Sequence, residues 1–414
     1  MSAVYFLAVN VFHLLTKCSR ISKWKRHKGY CVVNQQGNIM IVYVVAIFLF
    51  ALVVWKLTRP FHSNSRDSPS GLDALRLRLF VVGITKLLFI IGKFTTWLTG
   101  SDLYVLGNNV PCKRKSKMTI NGVDVFYFNR QASKKQNCFI FIHGGAFILP
   151  HIYPYDMCLG FIAKKTNALV LSIDYRLAPV HTYPAAHDDC YKAVHYILSN
   201  PSEFNINTDG IVLCGDSVGG NLVAWTCLQL AENHPHLSEM VKVQILVNPL
   251  LQCADFCTPS YQDAANYSTY LPPSLLSRLT SVFLTGTDKY AQLFLTNKLS
   301  DLLRNGDSEV IRRKCNIPRS VMDQILVPFV SGLFTQTLPL NYPPVKLLSC
   351  EFDVLLSDSK MFHDKLLGQN LESTLLEYKT VHCGFLFSMV GRSEDVKMLR
   401  DIVRIAESAF AAHN

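Results

Sequence analysis

Not one aspartate or glutamate occurs in the first 66 residues, although the 414-residue chain has 30 of them. The same stretch holds Lys17, Arg20, Lys23, Lys25, Arg26, Lys28, Lys56, Arg59 and Arg66. The chain has 41 basic residues, and nine lie here, so 32 remain against 30 acidic ones. The formal charge of +11 therefore belongs to the N-terminal arm, and the rest is close to neutral. No nucleic-acid-binding motif accompanies the excess, which excludes nucleic acid as a partner. Paired CxxC spacing is also missing. Thirteen cysteines in so long a chain read neither as a disulfide scaffold nor as a metal site. Cys138 and Cys214 fall in strand-like runs, where cysteine acts as a small hydrophobe. No internal repeat or low-complexity tract is present.

Charge is absent again from Ile39 to Trp55, an unbroken apolar run. With its flanks it reaches the roughly 20 residues that span a bilayer, so a transmembrane helix is expected at 39–57. The basic cluster from Lys17 to Lys28 precedes it, and the positive-inside rule puts the N-terminus in the cytosol. The body then lies in the lumen of the endoplasmic reticulum, with the membrane as one partner. Residues 1–38 form the basic arm. Residues 58–110 hold a polar linker and, from Leu75 to Leu98, amphipathic cap helices. One large domain is expected over 111–414. Asn266-Tyr267-Ser268 is a glycosylation candidate that a lumenal body could carry modified.

Within that domain, strand-like runs at 138–142, 168–173, 210–214, 243–247, 345–349 and 374–380 alternate with helical patterns. This alternation predicts an α/β fold with a mostly parallel central sheet. Residues 250–343 interrupt it and are expected to form a helical lid. Gly215-Asp216-Ser217-Val218-Gly219-Gly220 follows one strand and opens a helix, the context of a nucleophile elbow. His143-Gly144-Gly145-Ala146-Phe147 follows another. Glycines there let backbone amides approach a developing oxyanion, and the expected donors are Gly144, Gly145 and Val218, with His143 shaping the loop. A triad in this order needs an acid and then a histidine downstream. His382 directly follows a strand late in the chain. His234, His236, His363 and His413 lie in a loop, a helical pattern or the tail. Asp353 follows the strand ending at Cys350, and its nearby rivals Glu351 and Asp358 read as solvated.

These motifs, with Asp174-Tyr175-Arg176-Leu177-Ala178-Pro179, Tyr183-Pro184-Ala185-Ala186 and Asn248-Pro249-Leu250, resemble the hormone-sensitive-lipase branch of the alpha/beta hydrolases. The arylacetamide deacetylase family is the most similar group, from about residue 40 to the C-terminus. The resemblance implies a membrane-anchored serine esterase with triad Ser217, Asp353 and His382, acting on a small apolar ester or lipid. It needs no metal or organic cofactor. Aryl-amide deacetylation is the alternative, and a non-catalytic receptor of the same fold a more distant one. Ala146 replaces a usual third glycine but still offers an N–H. Leu356 and Ser357 stand where the family tends to have Arg and Asp, and the segment at 280–343 is shorter. The family position of Cys350 can be bridged to the oxyanion loop, where this chain carries Ile148.

Overall fold

The strands 138–142 and 210–214 contain almost no polar residue, which is what a strand covered on both faces requires. In the computed structural model they lie at the centre of an eight-stranded sheet. The structure describes residues 116–131, 133–253, 255–263, 271–296, 319, 337–390 and 393–411. The basic arm, the 39–57 span, the cap helices, Asn266, His413 and much of the 280–343 segment lie outside the described residues. Among the described residues no helix is long and apolar enough to cross a membrane.

The strands are β1 (Ser116–Ile120), β2 (Val123–Phe128), β3 (Gln136–Ile142), β4 (Leu169–Asp174), β5 (Ile206–Asp216), β6 (Val241–Val247), β7 (Val345–Phe352) and β8 (Ser373–Val381). Their spatial order is β1-β2-β4-β3-β5-β6-β7-β8. The first two joints are antiparallel and all the others are parallel. The mostly parallel sheet agrees with the sequence reading, which lacked β1 and β2. Their signal was Asn121-Gly122, a two-residue hairpin turn, and both residues take left-handed φ values of 47° and 82°.

Helices follow as α1 (Tyr153–Thr166), α2 (Ala185–Ser199), α3 (Val218–Asn233), α4 (Pro235–Ser238), α5 (Pro259–Asp263), α6 (Pro273–Thr285), α7 (Ala291–Leu295), α8 (Leu356–Gly368) and α9 (Ser393–Ala411). Alternation along each strand divides the core. Ile140, Ile142, Ile211 and Leu213 pack with Val194 and Ile197 of α2 and Leu222 of α3. Phe139, Phe141, Val212 and Cys214 face the other way, onto Leu159 and Ile162 of α1 and Met398, Leu399 and Ile402 of α9. The α9 set repeats at helical spacing, the stripe that an amphipathic helix buries. Between β6 and β7, α6 lies against the loop after β3, with Phe283 stacked on Phe147 at 3.6 Å between centroids.

Two glycines set how closely strand and helix meet at the β5–α3 junction. A Cβ on Gly219 would stand 2.1 Å from the Ile142 carbonyl oxygen, and one on Gly215 would stand 2.3 Å from the Gly219 carbonyl oxygen. Backbone cannot rotate away as a side chain can. Gly219→Ala is expected to cost about 3 kcal/mol through overpacking. Gly368→Ala, in open space at the end of α8, should be neutral or gain up to about 1 kcal/mol from helix propensity. Thermal melts of the two variants check this, and equal melting temperatures would refute the packing argument.

Candidate active site

Ser217 lies between β5 and α3 with φ 54° and ψ −121°. Such a conformation costs an L-residue of order 1–3 kcal/mol and persists only when its surroundings hold it. Here the Ser217 amide donates to Val247, and its carbonyl accepts from Gly220 and Leu250. The turn projects the hydroxyl away from the sheet, 3.1 Å from His382 Nε2. His382 stands just past β8, and its Nδ1 is 2.8 Å from Asp353 Oδ2. A carboxylate can only accept, so Nδ1 carries the proton and Nε2 offers its lone pair to the serine. Three loops distant in sequence thus place an acid, a base and a hydroxyl in one hydrogen-bonded line.

The acid is itself held. Asp353 Oδ1 accepts the Leu355 amide at 3.1 Å, and Oδ2 accepts Asn248 Nδ2 at 2.6 Å. Burial alone would lower the His382 pKa. The charge and hydrogen bond of Asp353 more than offset this, with a further contribution from Asp216, so the imidazole sits above the ordinary histidine value of 6.5.

The loop after β3 turns sharply, with φ 110° at Gly145, 54° at Ala146 and 61° at Phe147. His143 is fully buried, stacked on Tyr175 at 4.5 Å, with Nδ1 2.7 Å from the Gly144 carbonyl. Burial lowers its pKa to about 3, assisted by His151, so it is neutral and acts as a packing group of the loop. One expectation is corrected here. The Gly144 amide donates to Asp216 Oδ1 at 2.8 Å, with Tyr155 Oη at 3.2 Å, and so is not free for an oxyanion. The amides of Gly145, Ala146 and Val218 have no acceptor among the described residues.

A match to the family described as alpha/beta hydrolase fold covers residues 139–306. The chain is 29% identical to arylacetamide deacetylase of Bos taurus over 309 residues, which is 66% of this chain and 75% of that protein. It is 27% identical to neutral cholesterol ester hydrolase 1 of Bos taurus over 286 residues, 62% of this chain and 69% of the relative. The solved esterase of Pyrobaculum calidifontis superposes with a TM-score of 0.60 at 21% identity, over 87% of this chain and 99% of the other, a likeness of fold. The chain is thus similar to the arylacetamide deacetylase-like proteins of the hormone-sensitive-lipase type of alpha/beta hydrolase.

Several features of this hydrolase were not legible beforehand. Asn248, read only as part of a family motif, bridges the acid and base loops. Its Nδ2 holds Asp353, while its Oδ1 accepts the Cys383 amide at 3.1 Å and the Cys350 thiol at 3.3 Å. Cys350 is thus a free thiol, and no bridge joins it to the loop at Ile148. Asp358 is not solvated: it is fully buried, accepting the Leu251 amide and Gln252 Nε2. Burial pushes its carboxyl up to about 8. Glu351 is exposed. His363 sits on α8, bonded to Ser373. In place of the family Arg-Asp pair, Ser357 exchanges hydrogen bonds with Ser260 of α5, whose hydroxyl also reaches the Val354 carbonyl beside the acid. A cavity of about 520 Å³ borders the back of Asp353, and neither Ser217 nor His382 lines it. Among the described residues no group of three or more His, Cys, Asp or Glu could hold a metal ion.

Proposed function

We propose that this carboxylic ester hydrolase is a membrane-anchored serine esterase that cleaves apolar acyl esters through an acyl-enzyme. The observation that carries the reading is the line Asp353–His382–Ser217, with contacts of 2.8 and 3.1 Å. His382 Nε2 removes the Ser217 proton as Oγ attacks the ester carbonyl. The amides of Gly145, Ala146 and Val218 receive the oxyanion, and His382 returns the proton to the leaving alcohol. Water then repeats the sequence on the acyl-serine. Asp353 keeps the imidazole in the correct tautomer and balances its transient positive charge without taking its proton.

Two relatives are named for arylacetamide deacetylation and for cholesterol ester hydrolysis. Apolar esters are the first class here and aryl amides the second, since one triad serves both. The acid-free basic arm before the apolar run at 39–57 supports a single span with the body in the endoplasmic reticulum lumen. A body beside the bilayer could draw a partitioned ester directly from it.

The expected outcome is preferential hydrolysis of medium and long acyl esters over matched aryl amides by purified full-length protein. Faster amide cleavage would reverse the substrate assignment. In intact microsomes the body should resist protease until detergent is added, with an endoglycosidase-sensitive mobility shift that Asn266→Gln removes. A body digested without detergent would overturn the topology and leave the esterase reading standing.

A further inference from the structure

Asp216 precedes the nucleophile and is 1% exposed. One carboxylate oxygen accepts the Gly144 amide at 2.8 Å; the other accepts the Tyr155 hydroxyl at 2.8 Å and the Cys383 thiol at 3.3 Å. Its backbone belongs to the elbow strand β5, Gly144 to the oxyanion loop, Tyr155 to α1, and Cys383 to the residue after the base. All three working parts of the site therefore meet at one carboxylate. The approach is close, since a Cβ on Gly144 would stand 2.5 Å from Asp216 Oδ2.

We propose that Asp216 is a positioning residue whose carboxylate latches the oxyanion loop to the nucleophile elbow. This rests on the serine-esterase reading. The amides left for the oxyanion, at Gly145 and Ala146, follow the latched peptide by one and two residues. The chain between them runs through left-handed φ values that no helix or strand enforces. Asp216 fixes the peptide that leads into them. The Gly144 carbonyl meets His143 Nδ1 and the Gly145 carbonyl accepts from Ile148 and Leu149, so the two donors are held from both sides and Asp216 ties that turn to the elbow. A donor that must be in place before charge develops gains its effect from such rigidity.

The latch titrates. Burial pushes the Asp216 carboxyl up to about 6 from its ordinary 3.8, opposed by the hydrogen bonds from Tyr155, Gly144 and Cys383 and by the charge of His382. The titratable groups facing it are Tyr155 and Cys158 of α1, His143 of the oxyanion loop, Tyr175 after β4, Cys214 of β5, and His382 and Cys383 after β8. Burial raises the tyrosines and thiols and lowers His143, so near neutrality only His382 and Asp216 change charge. Every partner of the carboxylate is a donor. A proton added to it must turn one of those contacts around, which the Tyr155 hydroxyl can accept and the Gly144 amide cannot.

The test is the acid limb of log kcat/KM against pH, measured beside fluorophosphonate labelling of Ser217 and a thermal melt. In the wild-type enzyme the slope should steepen from 1 toward 2 below about pH 6. Asp216→Asn should lose the second proton, and a loosened hole should lower kcat by about 10- to 100-fold with KM nearly unchanged. Tyr155→Phe removes a hydrogen bond that holds the carboxyl down, so it should move the second ionisation to higher pH. A change in packing alone would not move it, and this variant keeps the test open if Asp216→Asn fails to fold. Labelled wild-type enzyme with a one-proton limb, or Tyr155→Phe with an unshifted limb, would overturn the latch and leave the esterase reading intact. Unlabelled, inactive wild-type protein would overturn that reading itself.

Discussion

Ser217→Ala is expected to lower ester hydrolysis by about 10⁴- to 10⁶-fold and to abolish fluorophosphonate labelling, because removing one member of a Ser-His-Asp unit disables the whole of it. The substitution deletes a single oxygen at a site 7% exposed. It breaks one hydrogen bond, to His382 Nε2, and leaves the three backbone contacts of the elbow in place. The left-handed φ is retained, since alanine occupies it with about the same strain as serine. The fold should therefore survive with a melting temperature within a few degrees of the wild type. What remains is oxyanion stabilisation and substrate binding without a nucleophile. Undiminished labelling of the variant would show that another side chain is the nucleophile.

Removal of the base has an effect of similar size and adds a pH signature. His382→Ala should lose about 10⁴-fold or more in kcat, and Asp353→Asn about 10⁴-fold through the wrong tautomer. In the asparagine variant the side-chain N–H₂ can meet Nδ1 only as a donor, so the ring proton moves to Nε2, which then cannot accept from Ser217. For the wild-type enzyme the sign follows from the shift. The neutral imidazole is the working form, and its pKa is raised above 6.5. Activity is thus full above that value and falls as pH drops through it, one proton at a time, before the Asp216 ionisation is reached. His363→Ala, which removes a side chain bonded only to Ser373 among the described residues, serves as the control and should retain near-normal kcat. Inactivity of that variant with a competent His382→Ala would reverse the assignment of the base.

How far the site could be read in advance depended on sequence distance. The elbow was legible because strand, small residues, serine and helix stand within a dozen positions, and the steric demand on Gly215 and Gly219 is local. His382 was legible from its place after the last strand. The oxyanion donors were legible only as a loop. Which amides are free depends on Asp216, 72 residues away from Gly144 in sequence, and the bond between them takes Gly144 out of the set. Asp358 was misread for the same reason. Its partners Leu251 and Gln252 are more than 100 residues distant, and nothing around position 358 announces burial. The hairpin of β1 and β2 was a different kind of miss, since Asn121-Gly122 marked it locally.

The sequence by itself determined the alternation of strands and helices, the strand-turn-helix at Ser217, the histidine beyond the last strand, and the chemistry open to that set. These are short-range properties, written in residue size, polarity and backbone freedom within one or two elements. Tertiary structure alone decided that Asn248 clamps Asp353 to the base loop, that Ser260 and Ser357 exchange hydrogen bonds behind the acid, and that one buried carboxylate at Asp216 joins the loops of the oxyanion, the nucleophile and the base. A hydrogen bond needs partners within about 3 Å whatever their separation along the chain. Only the closing of the parallel sheet brings those partners together.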